Sequence, residues 1–277
     1  MASRLIGVIS FLVTITVLAF PQNSGTITVK GSDTMVLLAQ RWAETYMKSH
    51  PDVSIQVTGG GSGTGISALI NGTTDICNSS RSMKSDERKK LKEKSGSSGV
   101  EIKCSIDGLC VYVHPSNPIR ELSIPQVRDI YTGKITNWKE LGGADKKIIL
   151  YSRENNSGTY VYFKEEVLLN ADFDNRTQSL PGTAAVVNAI SKDEQGIGYG
   201  GVAYGKGVRE LSLKKDGKSP ACKPTVEHIK DGTYPLGRYL YMYLKQKPTG
   251  ELKRYVDWIL GNDGQKIVTE VGYVPIR

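Results

Sequence analysis

The chain has 277 residues, 39% hydrophobic and 23% charged, and its 36 Lys+Arg against 28 Asp+Glu leave a formal charge of +8. That mix is too apolar for intrinsic disorder, and 30 glycines without a period exclude collagen. The length allows one large domain or two ordinary ones, and the excess charge points to an anionic partner: nucleic acid, an acidic membrane surface or a small oxyanion.

Residues 1–24 read as a secretory signal peptide. Arg4 precedes an uncharged, mostly apolar run from Leu5 to Phe20, which Pro21 to Gly25 breaks. A run of about 15 residues falls short of the ~20 that a membrane span needs. No cysteine precedes Cys77, so the reading includes no lipid-anchored N-terminal cysteine. Removing the segment takes away Arg4 and no acid, which lowers the charge by one.

From Gly25 onward, strand and helix alternate. Residues 25–30 are β-rich and end at Gly31. Residues 34–49 carry Met35, Leu38, Ala39, Trp42, Ala43 and Tyr46 on one helical face, and His50-Pro51 stops it. Val53 to Val57 alternates as a strand into the glycine loop Gly59 to Gly65. A short helix over 66–71 and a strand around 75–77 follow. This βαβαβ order predicts a parallel sheet with covered faces.

Residues 83–94 form a solvated basic helix, and two strands are expected near 102–104 and 109–113, around an Ile106-Asp107-Gly108 turn. Cys104 and Cys110 flank that turn and either pair as a disulfide or stay as buried thiols. Helices are predicted over 124–132 (with Ser123 as N-cap), 158–169, 183–191 and 252–260. Strands are predicted over 148–151, 196–203 and 239–244.

The chemistry gathers at strand-to-helix junctions. Gly31-Ser32-Asp33-Thr34, Gly61-Ser62-Gly63-Thr64, Ser79-Ser80-Arg81 and Arg153 to Thr159 all place small hydroxyl residues near a helix N-terminus. There, unpaired N–H groups and the helix dipole favour an anion, and that sheet edge is where open α/β folds bind ligands. One such junction alone is an ordinary N-cap; four of one composition suggest an oxyanion cradle. Arg153, close before Ser157-Gly158-Thr159, adds a guanidinium able to grip an oxyanion with two hydrogen bonds.

Other chemistries find little support. No Gly-Lys-Ser/Thr follows the glycine loop, and the G-x-G-x-x-A at residues 63–68 has no acid closing the next strand. There is no G-x-S-x-G, and His50, His114 and His228 have no evident nucleophile partner. Metal-ligand clusters are missing, and the basic helix lacks the interleaved aromatics of a nucleic-acid surface. Neither a cofactor, a metal nor a catalytic group is therefore expected.

Gly31 to Met35, the loop around Ser62, Asp75 with Ser79-Ser80-Arg81, and Tyr131-Thr132-Gly133-Lys134-Ile135-Thr136-Asn137-Trp138 together resemble the phosphate-binding proteins of bacterial ABC transporters. Arg153 with Ser157-Gly158-Thr159 and Gly196 to Tyr199 extend the likeness from about Thr26 to Ile276. It implies an α/β, type II periplasmic-binding-protein fold: two α/β lobes joined by two crossing strands with the ligand cleft between. Lobe 1 would comprise residues 25–106 and 238–277, and lobe 2 residues 107–237. The crossings would lie near 104–112 and 238–244.

The implied function is that of a monomeric periplasmic protein, no enzyme, which captures inorganic phosphate and delivers it to an ABC permease. Implied ligand residues are Ser32, Asp33, Thr34, Ser62, Ser80, Arg153, Ser157, Gly158 and Thr159. Well-known members carry an aspartate at the position of Ser80, whose carboxylate accepts the proton of hydrogen phosphate, and another at the position of Asn155; a carboxylate at the ligand rejects sulfate. Here Ser80 can accept or donate, and Asp33 is the alternative acceptor. The remaining alternatives are another oxyanion such as sulfate or molybdate, and an exported phosphatase-like hydrolase.

Overall fold

A computed structural model describes residues 25–277, so the expected signal segment lies outside the described residues. The opening strand β1 (Thr26–Gly31) buries Ile27 and Val29 on one face by simple alternation. A short 3-10 turn, Asp33–Met35, leads into α1 (Val36–Ser49), which turns Leu38, Trp42 and Tyr46 inward. Next come β2 (Ser54–Thr58), α2 (Ser62–Asn71), β3 (Ile76–Ser79) and α3 (Ser85–Ser95). Of α3 only Leu91 is buried, as a solvated basic helix requires.

Two results differ from the expectation. The first is α2, which begins at Ser62, four residues early, inside the glycine loop. Glycine is a poor helix former, but here a tertiary contact overrides propensity: Gly63 N–H donates to the Asn156 carbonyl at 2.9 Å.

The second is β4 (Val100–Val113), one continuous strand with no turn at Asp107-Gly108. Cys104 and Cys110 sit six residues apart on it, roughly 20 Å at strand rise and far beyond the ~7 Å limit for a disulfide. Both are free and buried, and burial pushes the Cys104 thiol up to about 12.

The chain continues through β5 (Glu121–Ser123), α4 (Ile124–Tyr131), β6 (Ile149–Arg153), α5 (Gly158–Glu166), β7 (Gln178–Leu180), α6 (Gly182–Ile190) and β8 (Gly196–Gly201). After β9 (Arg209–Glu210), β10 (Ser212–Lys214) and α7 (Val226–Lys230) come β11 (Gly237–Leu244), α8 (Gly250–Leu260) and α9 (Asn262–Val271). Ser123 caps α4 through a reciprocal box with Gln126, as its position suggested. The sequence reading missed α9, although Ile267, Val268 and Val271 keep helical spacing.

Among the described residues, a nine-stranded sheet runs β2-β1-β3-β11-β4-β8-β6-β7, with β9 paired to β4. β1 is parallel to β2 and β3, and β6 is parallel to β7 and β8; between the two groups, β11 and β4 run antiparallel.

Two principal cores flank that central pair. One joins Ile27, Val29, Trp42 and Tyr46 to Leu240, Met242, Tyr255 and Val268. The other gathers Leu109, Val111, Tyr131, Phe163, Tyr199 and Tyr234. The end of the chain is tied to its beginning by polar bonds as well. Trp42 Nε1 donates to the Gly264 carbonyl at 2.8 Å, and the Tyr46 hydroxyl donates to Glu251 at 2.6 Å.

Candidate functional site

Four strand ends deliver the predicted junctions to one place. Ser32 and Thr34 follow β1, Ser62 opens α2, and Ser80 follows β3; Arg153 ends β6, and Ser157 caps α5. All of these, with Thr159, are almost wholly buried.

Their hydroxyls form one cluster. Ser32 Oγ lies 2.9 Å from Ser80 Oγ, which lies 3.4 Å from Ser62 Oγ and 3.5 Å from Thr159 Oγ1. Thr159 Oγ1 in turn lies 2.9 Å from Thr34 Oγ1. The Ser80 backbone N–H donates to Ser62 Oγ at 3.1 Å, which leaves the Ser62 proton to point elsewhere.

Ser157 has a structural task as well. Its Oγ accepts from the N–H groups of Thr159 and Tyr160 at 3.2 and 3.3 Å, which is the ordinary N-cap geometry. Gly158 is needed for closeness: a Cβ there would lie 2.3 Å from Ser62 Oγ and 2.8 Å from Ser80 Oγ. Its peptide therefore passes directly against the hydroxyl cluster.

The Arg153 guanidinium is held on two sides. Nη1 donates to Thr183 Oγ1 and Nη2 to Asp33 Oδ2, both at 2.7 Å, while the buried Nε has no protein partner. Burial pulls its pKa below the ordinary arginine value, opposed by the charge of Asp33. The other Asp33 oxygen accepts the Gly60 N–H at 2.8 Å. Asp33 thus turns its carboxylate toward Arg153 and Gly60, a different task from the free proton acceptor considered in the sequence. Asn155, two residues after Arg153, is exposed.

Several participants were not legible in the sequence. Asn156 ties the mouth of the cradle, its Nδ2 donating to the Gly60 carbonyl at 3.0 Å and to Thr64 Oγ1 at 3.2 Å. The Tyr204 hydroxyl donates to the Asp33 carbonyl at 2.8 Å. Arg238 reaches Thr159 Oγ1 from β11, at 3.0 Å. Asn156 lies within the Arg153–Thr159 junction, but its partners Gly60 and Thr64 are more than 90 positions away; Tyr204 and Arg238 reach their partners across 171 and 79 positions.

The histidines stay clear of this cluster, as expected. The His50 ring stacks on Tyr46, His114 pairs with Ser116, and His228 pairs with the Lys223 carbonyl. Among the described residues no cluster of His, Cys, Asp or Glu could hold a metal ion. The arrangement is a donor-rich, largely buried cradle. Its hydroxyls, the N-terminus of α5 and the buried guanidinium groups of Arg153 and Arg238 gather there, and the carboxylates of Asp33 and Asp107 are each occupied by one of these arginines.

Comparison with known proteins agrees with this geometry. A PBP superfamily domain matches residues 19–263. The phosphate-binding protein PstS of Pseudomonas aeruginosa is 34% identical over 270 residues, covering 91% of this chain and 84% of that protein. PstS of Bacillus subtilis is 35% identical over 256 residues, covering 91% and 81%.

Among solved structures, a phosphate ABC transporter substrate-binding protein from Clostridium perfringens with bound phosphate superposes with a TM-score of 0.83. It has 29% identity and covers 91% of this chain and all of that one. An ABC-type phosphate transport receptor from Vibrio cholerae gives a TM-score of 0.71 at 28% identity, covering 90% and 99%. By both measures the chain belongs to the PBP superfamily, among the PstS-type phosphate-binding proteins.

Proposed function

We propose that this chain is the substrate-capturing component of a phosphate ABC transporter: an exported, monomeric protein that binds inorganic phosphate and hands it to a membrane permease. The observation that carries the reading is the convergence of the hydroxyls of Ser32, Thr34, Ser62, Ser80 and Thr159, with Arg153 joined to the first of these junctions through Asp33. A tetrahedral oxyanion needs donors on all sides, and this cradle is assembled from four separate junctions.

Residues 25–106 with 238–277 would move as one lobe and 107–237 as the other, hinged where β4 and β11 pass between the two cores. In support, the Asp33–Arg153, Thr34–Thr159 and Asn156–Gly60 contacts all bridge the two proposed lobes, so ligand enclosure and lobe closure would be one event. Ser32, Thr34, Ser62, Ser80, Arg153, Ser157, Gly158 and Thr159 would touch the anion, and Asp33 would brace Arg153.

Hydrogen bonds to a charged group contribute roughly 1.5–3 kcal/mol each. Five or six of them exceed the ~8 kcal/mol of micromolar binding, even after the cost of ordering. Titration of ligand-stripped protein with phosphate is expected to give a Kd of about 1 µM or lower. The serine at position 80 supports one competing reading, a binder of oxyanions in general. Sulfate that binds as tightly as phosphate in the same calorimeter would establish that reading instead.

A further inference from the structure

We propose that Arg238 is a positioning residue for the cradle: it makes the Thr159 hydroxyl an obligate donor, and Asp107 holds it in place to do so. The inference rests on the oxyanion-binding reading above.

A guanidinium carries donors only. Arg238 Nη2 lies 3.0 Å from Thr159 Oγ1, so Thr159 accepts there and its single proton must point elsewhere. The other neighbours of that oxygen are Thr34 Oγ1 at 2.9 Å and Ser80 Oγ at 3.5 Å, both within the cradle. The proton therefore faces the space where the other junction donors converge.

Arg238 is fixed from behind. Its Nε and Nη2 donate to Asp107 Oδ2 at 3.0 and 2.8 Å, and the two residues stand directly opposite in the β4–β11 register. Asp107 is fully buried, and its other oxygen accepts the Val202 N–H at 3.1 Å. The Tyr162 ring covers the guanidinium, 5.1 Å from its carbon.

A buried ion pair is a weak source of stability on its own. This pair has a second task, aiming a hydroxyl. The cradle then uses two guanidinium groups differently: Arg153 beside the anion, and Arg238 through Thr159.

A double-mutant cycle on the full chain tests this, with phosphate Kd read by calorimetry. The four proteins are wild type, Thr159→Val, Asp107→Asn with Arg238→Met, and all three changes together; replacing both members of the pair leaves no charge stranded. Each of the first two variants is expected to bind about tenfold more weakly. The triple variant should be no weaker than either, a coupling of about 1.4 kcal/mol for a tenfold effect.

Unchanged affinity without the pair, or losses that multiply to about a hundredfold, would overturn the proposal, because general loosening of the hinge acts independently of Thr159. Arg238→Lys keeps a charge for Asp107 and reads the same coupling in a chain whose fold is least disturbed. Wild-type protein that fails to bind phosphate overturns the function itself, a result distinct from additive losses in a protein that binds.

Discussion

Arg153 and Arg238 are both almost wholly buried, and each holds an aspartate, yet the two pairs stand in different mechanical settings. Arg238 and Asp107 face each other across adjacent strands, and no opening of the cradle needs to part them. Arg153, at the end of β6, reaches Asp33, in the turn after β1, from 120 positions away. The Asp33 side chain keeps 21% of its surface exposed, against none for Asp107. Under the two-lobe closure proposed above, one pair is a fixture of the scaffold and the other a latch made as the cradle completes.

The sharpest way to break this contrast is Asp107→Ala. Removing one partner strands a buried charge, and a loss of about 3–5 kcal/mol in unfolding free energy is expected by urea titration. Next comes Arg153→Ala, expected to weaken phosphate binding by about a hundredfold or more, since two charge-assisted bonds disappear. Its calorimetric titration would match wild type if the cradle were placed wrongly.

Ser157→Ala should cost about 1 kcal/mol of stability through the lost cap of α5, together with about tenfold in affinity. A stability loss alone would reduce Ser157 to a structural cap. Asp33→Ala, at the partly exposed latch, also leaves the Arg153 guanidinium short of a partner, but solvent reaches this side, so a smaller stability loss of about 1–3 kcal/mol is expected by urea titration. A loss equal to that of Asp107→Ala would erase the distinction between the pairs.

A third pair calibrates the comparison through pH. Burial alone would raise the Glu87 carboxyl, but hydrogen bonds from Arg81 outweigh it and hold it below its ordinary value. The unfolded chain then binds more protons in that window. The stabilisation is therefore complete above the unfolded value of about 4.3 and is lost as pH falls through the folded one. The stability gap between wild type and Glu87→Gln should shrink below about pH 4 in urea titrations. A gap that stays constant down to pH 3 would contradict the depressed value.

The junctions were legible because their chemistry is local: a strand end, a small hydroxyl and a glycine within a few residues. Arg153 with Ser157 and Thr159 was readable for the same reason. The Asp107–Arg238 pair was hidden behind a false local cue, since Asp-Gly is a strong turn signal. In the fold, the carboxylate is instead engaged by a residue 131 positions away, and the backbone stays extended. The start of α2 was misplaced because two glycines in its first turn, Gly63 and Gly65, argue against helix, while a contact with the distant Asn156 backbone favours it. Asp33 could be placed near the site but not given its partner, because a carboxylate's orientation depends on which cation the fold brings to it.

The return of the chain also bears on how the molecule reaches this form. The core around Trp42 and Tyr46 is completed by β11, α8 and α9, with one bond spanning 222 positions. Such contacts form slowly, since a long loop must close before they contribute. The first half of the polypeptide cannot finish its core until the last forty or so residues arrive. For a protein proposed to be exported, that delay leaves a newly made chain open long enough to be threaded across a membrane before it locks.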